Sequence, residues 1–296
     1  MKTYKKGFVP ALGTPLTENG DFIKESFVKQ IELMIDSGAV GLLAMGSMGI
    51  QATLKNSECR KIAQAAIDAA KGRVPVYVGA MDCSIVRCKE RLADMEDLDV
   101  DGFVFTTPYY NSLSPEKAVN FFKAVAAATK HKVYLYDLAV VTQTKITYPM
   151  VKELIATTPN IAGIKTADIN MIRTIMNDPE IPESFEVFFS GLDMFDVAYS
   201  YGVCTNLDGM FTCTPANAKI MYEALANGDK ETAAKALSNI IALRDYMLTL
   251  DLMPAYSAGM NALGCEGIFH QDYCNPYSQE TYEKMKAKMK ELGENV

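Results

Sequence analysis

An eightfold alternation constrains this chain more than any other feature. Short runs rich in branched and aromatic residues recur along it, each followed by a longer amphipathic stretch. The runs are GFVPAL (7–12), GLLAM (41–45), PVYVG (75–79), GFVFT (102–106), KVYLYD (132–137), IAGIK (161–165), FEVFFS (185–190) and TNLDGM (205–210). Each is apolar on both faces, as strands of a parallel sheet covered on both sides must be. Parallel neighbours need crossover connections, and the intervening segments carry helix signals. ESFVKQIELMIDSG sets Phe27, Ile31, Met34 and Ile35 on one face and ends at Gly38, a helix-stop residue. SPEKAVNFFKAVAAATK opens with Ser114 as N-cap, Pro115 at the first helical position and Glu116 behind it. Eight such units predict an α/β fold, a (β/α)8 TIM barrel, over residues 1–228. The competing arrangement is an open doubly wound sheet. No GxGxxG follows the first run, which weakens a dinucleotide-binding version of it.

From residue 229 to 296 the strand runs stop. GDKETAAKALSNIIALRDYMLTL reads as a helix with an apolar stripe of Ala234, Leu237, Ile241 and Leu248, and two more helical segments follow. This tail is expected to be a C-terminal helical extension packed on the barrel.

Composition narrows the function. The 296 residues fall within the range of one barrel, and a net charge of -7 with no basic run argues against a nucleic-acid partner. No apolar run reaches the length of a membrane span, and MKTYKKGFVPALGTPL has no apolar stretch long enough for a signal peptide. A cytoplasmic protein without a membrane partner is expected. The seven cysteines are scattered without a CxxC pair, and Cys83, Cys88, Cys204, Cys213 and Cys265 read as small buried hydrophobes. Two histidines, His131 and His270, are too few for a histidine-rich metal centre, and His131 is expected at a solvated helix end.

In a barrel of this type, function gathers at the carboxyl ends of the strands. Lys165 ends the sixth run. Ser47 follows the second in MGSMG, and Tyr109, Tyr110 and Asn111 follow the fourth. Tyr136 and Asp137 end the fifth, and Asp193 follows the seventh in SGLD. Singly, each has a structural explanation. Lysine can snorkel to solvent, Tyr136 can be a packed aromatic, PYYN can be a turn, and Asp193 can cap a helix. Together they fit one chemistry. Burial disfavours an ammonium ion, and the free amine is a nucleophile that turns a ketone into an imine. Such a catalyst requires no metal and no nucleotide. Tyr136 and Tyr110, with Ser47 between them, would relay protons. Backbone N–H groups of Gly46-Ser47-Met48-Gly49 would hold a carboxylate.

PALGTPLTENGDF, GSMG, TPYYN, YLYD and GIK occur in this order at barrel spacing. The set resembles the dihydrodipicolinate synthase and N-acetylneuraminate lyase family of class I, Schiff-base-forming barrels. The resemblance implies that Lys165 forms an imine with pyruvate or a larger 2-keto acid and that Tyr136 is the general acid/base. It implies that Ser47 helps hold the keto-acid carboxylate. Tyr110 matches the tyrosine that reaches into a neighbouring subunit's site, which implies a homotetramer built as a dimer of dimers. No cofactor is implied beyond the covalent imine on Lys165.

The departures carry information too. Met48 and Ile50 stand where the family's loop has Thr and Glu, and Asp137, Leu138 and Ala139 replace an N-x-P run. Val141 stands where the synthases carry an arginine for the carboxylate of their aldehyde substrate, a contact whose loss costs about 2–5 kcal/mol. Gly191 and Asp193 resemble the sugar-binding G-x-D-E run of the lyases, but Met194 replaces the glutamate and Ala167 replaces a threonine. Val140, Val141 and Met48 make the second-substrate pocket less polar, with Asp193 and Asp208 near it. The expected activity is a pyruvate-dependent class I aldolase or lyase, a carbon–carbon or carbon–oxygen lyase. It would make or break a bond in a 2-keto-3-deoxy sugar acid or related compound. The alternatives are 4-hydroxy-tetrahydrodipicolinate synthase, which Val141 argues against, and a keto-acid-binding member without turnover.

Overall fold

The computed structural model describes residues 6–296. Its strands are β1 (Gly7–Pro10), β2 (Leu42–Ala44), β3 (Val76–Gly79), β4 (Gly102–Thr106), β5 (Val133–Tyr136), β6 (Ile161–Thr166), β7 (Glu186–Phe189) and β8 (Thr205–Asp208). All pair in parallel in the order β1-β8-β7-β6-β5-β4-β3-β2. The remaining gap closes through a parallel bridge between Ala11 and Leu43, with the Leu12 N–H donating to the Leu43 carbonyl at 2.9 Å. The sheet is therefore a barrel and not an open doubly wound sheet.

The helices are α1 (Lys24–Asp36), α2 (Asn56–Ala70), α3 (Ile85–Met95), α4 (Pro115–Ala126), the short α5 (Ala139–Thr142), α6 (Tyr148–Thr157), α7 (Ile169–Asn177) and α8 (Phe195–Ser200). After β8 come α9 (Pro215–Asn227), α10 (Lys230–Thr249), α11 (Leu252–Ala262) and α12 (Gln279–Glu291). The punctuation read from sequence forms these elements. Helix α1 buries Phe27, Ile31 and Met34 and ends with Gly38 at φ +92°, where the Gly38 and Ala39 N–H groups bond the Ile35 and Met34 carbonyls. Ser114 Oγ accepts from the Lys117 N–H at 3.4 Å at the start of α4. None of the helices among the described residues is long and apolar enough to cross a membrane.

Three expectations change. Helix α10 buries Ala233, Ala236, Leu237, Ile240, Leu243 and Met247, whereas Leu248 is exposed. Apolar residues lie on more than one face of α10, and its packing on α9 selects a stripe rotated from the one expected. His131 is half-buried, not solvated. Its Nε2 lies 3.0 Å from the Glu96 carbonyl, and its ring meets Phe103 edge-on. The cysteines are free; Cys88, Cys204, Cys213 and Cys265 are buried, but Cys83 is partly exposed at the barrel rim.

Inside the barrel, alternate residues of each strand point inward and build layers. One layer is aromatic: Tyr77 meets Tyr134 at 4.9 Å and Phe188 at 5.2 Å between ring centroids. Gly102 and Gly163 on the flanking strands make room for Tyr134, since a Cβ on either would sit within 2.7 Å of its ring. Two residues further along β5, toward the carboxyl ends, the next layer holds Tyr136 beside Lys165, which are register partners. The aromatic floor thus closes the barrel directly beneath the candidate site.

Candidate active site

Lys165 is only 4 % exposed, and its Nζ lies 4.1 Å from the centroid of the Tyr136 ring. The amine does not snorkel to solvent. Tyr136 is equally buried, and its hydroxyl accepts a 3.4 Å hydrogen bond from Ser47 Oγ. Strands β2, β5 and β6 thus bring Ser47, Tyr136 and Lys165 together. Ser47 sits in a tight loop flanked by left-handed residues, Met45 at φ +53° and Ile50 at φ +49°. Among the described residues, none accepts a hydrogen bond from the Ser47, Met48 or Gly49 N–H. Gly46 receives the Gln51 N–H on its carbonyl, and Met48 packs against Gly209 at the end of β8, where an added Cβ would lie 2.7 Å from the Met48 methyl.

Asp208 ends β8. Burial pushes its carboxyl above the usual range, against the pull of the Met210 N–H and of the Lys165 charge.

Other expected site residues lie elsewhere or are already engaged. Tyr110 is 83 % exposed and takes no part in the Ser47–Tyr136 contact within this chain. Asp193 faces solvent and is gripped by Arg244 of α10 through two bonds of 2.6 and 2.8 Å, which hold its carboxyl below the ordinary range. Gly191 packs against the Phe189 ring, which an added Cβ would meet at 2.5 Å. Val140 points into solvent, while Val141 stands at the rim of a cavity.

Asp137 is buried, and its oxygens serve the framework. Oδ1 accepts from the Ile146 N–H at 3.1 Å, and Oδ2 accepts from Thr166 Oγ1 at 2.8 Å and from Lys145 Nζ. Lys145 also meets Asp168 at 3.1 Å, and the Asp168 N–H bonds back to Thr166 Oγ1. Asp137 and Thr166 directly follow Tyr136 and Lys165, so this clamp locks the two strand ends together. The Asp137 N–H adds a bond to the Lys165 carbonyl at 2.9 Å.

Beside Ser47 and Thr106, the register partner of Tyr136, opens a cavity of about 350 Å³ walled in part by Gln51, Tyr109, Leu138 and Val141. Burial pushes the Tyr109 hydroxyl up to about 12, helped by Cys83 and Asp82 beside it. Gln271 and Tyr273, from the segment after α11, complete the wall. Sequence reasoning missed Lys145, Gln51, Arg244, Gln271 and Tyr273. Each reaches the site from a loop or helix whose local pattern says nothing about its direction. Only Gln51, two residues beyond the GSMG turn, had a nearby signal.

The architecture and the buried amine–phenol pair define a (β/α)8-barrel protein with its candidate site at the carboxyl face. The Dihydrodipicolinate synthetase family profile matches residues 4–294, and the chain belongs to that family. It is 28% identical over 251 residues to the 4-hydroxy-tetrahydrodipicolinate synthase of Phenylobacterium zucineum, covering 84% of each chain. It is 32% identical over 225 residues to the enzyme of the same name from Oleidesulfovibrio alaskensis, covering 75% of this chain and 76% of the relative. In fold it is similar to Proteus mirabilis N-acetylneuraminate lyase, with a TM-score of 0.89 at 17% identity over 98% of this chain and 99% of that one. It is likewise similar to YagE of E. coli K12, solved with pyruvate, with a TM-score of 0.86 at 23% identity over 97% and 98% of the two chains.

Proposed function

We propose that this protein is a class I aldolase or lyase that works through an imine between Lys165 and pyruvate or a related 2-keto acid. The observation that carries the reading is the Lys165 amine, buried at the end of β6 and seated over the Tyr136 ring at 4.1 Å. The amine adds to the keto carbon, and the carbinolamine loses water to leave a protonated imine. Loss of a proton from the adjacent carbon gives an enamine, which attacks the aldehyde carbon to form the new C–C bond; hydrolysis then frees Lys165. Cleavage runs the same steps backwards. Tyr136, bonded to Ser47, is placed to carry protons to and from nitrogen and oxygen. The N–H groups of the Ser47–Gly49 turn, unpaired among the described residues, suit the keto-acid carboxylate. The product class is a 2-keto-3-deoxy sugar acid or a related compound.

Borohydride added with pyruvate is expected to leave a reduced pyruvyl mass on Lys165, located by peptide mass spectrometry. An unmodified Lys165 in folded protein rejects the reading. Release of pyruvate from a panel of 2-keto-3-deoxy acids separates an enzyme from a binding protein.

The relatives' name favours a second reading, 4-hydroxy-tetrahydrodipicolinate synthase. Against it stands Val141, an apolar side chain at the cavity rim where that reaction requires a cation. A direct assay for that product decides between them. The exposure of Tyr110 supports its service in a neighbouring copy's site and so a homotetramer. Sedimentation as a monomer at working concentration would remove that support.

A further inference from the structure

The cavity beside Ser47 has an inner and an outer end. Thr106, the register partner of Tyr136, is 2 % exposed, whereas Tyr273 is 76 % exposed, yet both stand in its wall. Its volume of about 350 Å³ is within the range of small-molecule sites. Ser47, which bonds Tyr136, also lines it. A second substrate that brings its carbonyl toward Tyr136 and Lys165 therefore lays the rest of its chain toward the outer end.

That outer end is built in part by the tail and not only by the βα loops. Ile268 and Leu16 exchange two N–H···O bonds of 2.9 Å. Phe269, fully buried, donates its N–H to Ser257 Oγ at 3.0 Å. Beyond this anchor the chain turns over the mouth. The Cys274 N–H bonds the Gln271 carbonyl at 3.0 Å, and the Cys274 thiol donates to Gln271 Oε1 at 3.4 Å. The Gln271 side chain is thus oriented. Its oxygen is engaged, while its Nε2 has no acceptor among the described residues and remains a donor in the cavity wall. Tyr273, two residues on, holds a large ring at the same wall with most of its surface in water. Covering such a ring with a carbon chain is favourable, and its hydroxyl can still reach solvent or a polar substituent.

Resting on the imine reading above, we infer that Gln271 and Tyr273 are specificity-determining residues of the second-substrate site. They read the end of the aldehyde remote from its carbonyl. The Tyr273 ring covers the carbon chain, and Gln271 Nε2 donates to a hydroxyl oxygen on it. The aldehyde they select is a hydroxylated chain long enough to span the cavity.

The test uses the full-length protein, pyruvate and two four-carbon aldehydes, erythrose and butanal. Wild-type kcat/KM is expected to be about tenfold or more higher for erythrose. Gln271→Leu should raise KM for erythrose by about tenfold and leave that for butanal within about twofold. Tyr273→Ala should raise KM for both by about tenfold with kcat nearly unchanged, the sign of lost binding and not of disturbed chemistry. The exposure of Tyr273 keeps that variant folded. The chain contains no tryptophan, so Tyr273→Trp places a single indole at the outer wall. In that variant, after borohydride has fixed pyruvate on Lys165 and been removed, erythrose should shift the indole emission to the blue without turnover. Absence of a trapped product defeats the imine reading, and this role with it. Normal trapping followed by no turnover of erythrose, by unchanged KM values in both variants, by a fall in kcat alone, or by an unmoved indole emission overturns this inference and leaves the imine in place.

Discussion

At the scale of the residue, Lys165 shows how much one side chain determines. A lysine buried without an ion pair is rare, and here its Nζ rests on a phenol ring with the aromatic floor one layer below. Lys165→Ala is expected to abolish borohydride trapping while its circular-dichroism melt stays close to wild type, since the side chain ends a strand at the cavity mouth. A variant that still traps pyruvate elsewhere would assign the imine to another amine. Tyr136→Phe keeps the ring beneath the amine and removes the hydroxyl that Ser47 bonds. Turnover should fall by about two to four orders of magnitude, the usual worth of a general acid/base; unchanged steady-state rates would take Tyr136 out of the relay. Both residues were legible in the sequence because strand ends in a barrel point at the site. Tyr110 could not be placed in the same way, because it stands on the loop after β4, where local pattern fixes no direction, and it is exposed outside that pair within this chain.

At the scale of the element, the strands were legible and the loops between them were not. Strand runs are short and apolar, and most are bounded by glycine or proline, so every one of the barrel strands fell on its expected run. Asp137 shows the limit. It follows Tyr136 and invites a role toward substrate, yet its oxygens tie β5 to Thr166 of β6 and to Lys145. Nothing in the sequence links Lys145 to that pair; the chain turn through α5 does so. Burial alone would lower the Lys145 pKa, but bonds to Asp137 and Asp168 outweigh it and raise it. Burial alone would raise that of Asp168, but the Met171 N–H and Lys145 bring it down. A raised lysine stabilises fully below its unfolded pKa of about 10.4, and that contribution is lost as pH climbs through the folded value. A lowered aspartate stabilises above its unfolded pKa of about 3.9, and that contribution is lost as pH falls through the folded value. Lys145→Met should therefore melt below wild type across the neutral range, and the two melting curves should converge at both extremes. A difference independent of pH would mean that Lys145 acts through packing and not through charge.

At the scale of the whole molecule, the question is whether the tail after residue 228 stands apart from the barrel. Its helical pattern was legible, but its contacts were not, because they join residues far apart in sequence. Ile268 bridges to Leu16 beside β1, and the Tyr256 hydroxyl lies 2.8 Å from Thr212 Oγ1 beyond β8. Glu294, almost at the chain's end, is 4 % exposed and accepts from the Ala216 and Asn217 N–H groups at 2.9 and 3.0 Å. It thus caps the first turn of α9 with a carboxylate, where the helix dipole favours negative charge. Burial raises the Glu294 pKa despite these bonds, so part of the cap's value is spent on desolvation. Glu294→Ala leaves buried N–H groups unpaired and should cost about 1–3 kcal/mol in a urea melt. Glu294→Gln keeps one acceptor oxygen and should cost less. If barrel and tail form one cooperative body, the loss will appear as a shift of a single transition, seen alike by far-ultraviolet ellipticity and by tyrosine fluorescence. Two separated transitions, with only the first moved by Glu294→Ala, would make the tail a domain of its own and would detach Gln271 and Tyr273 from any fixed role in the cavity wall.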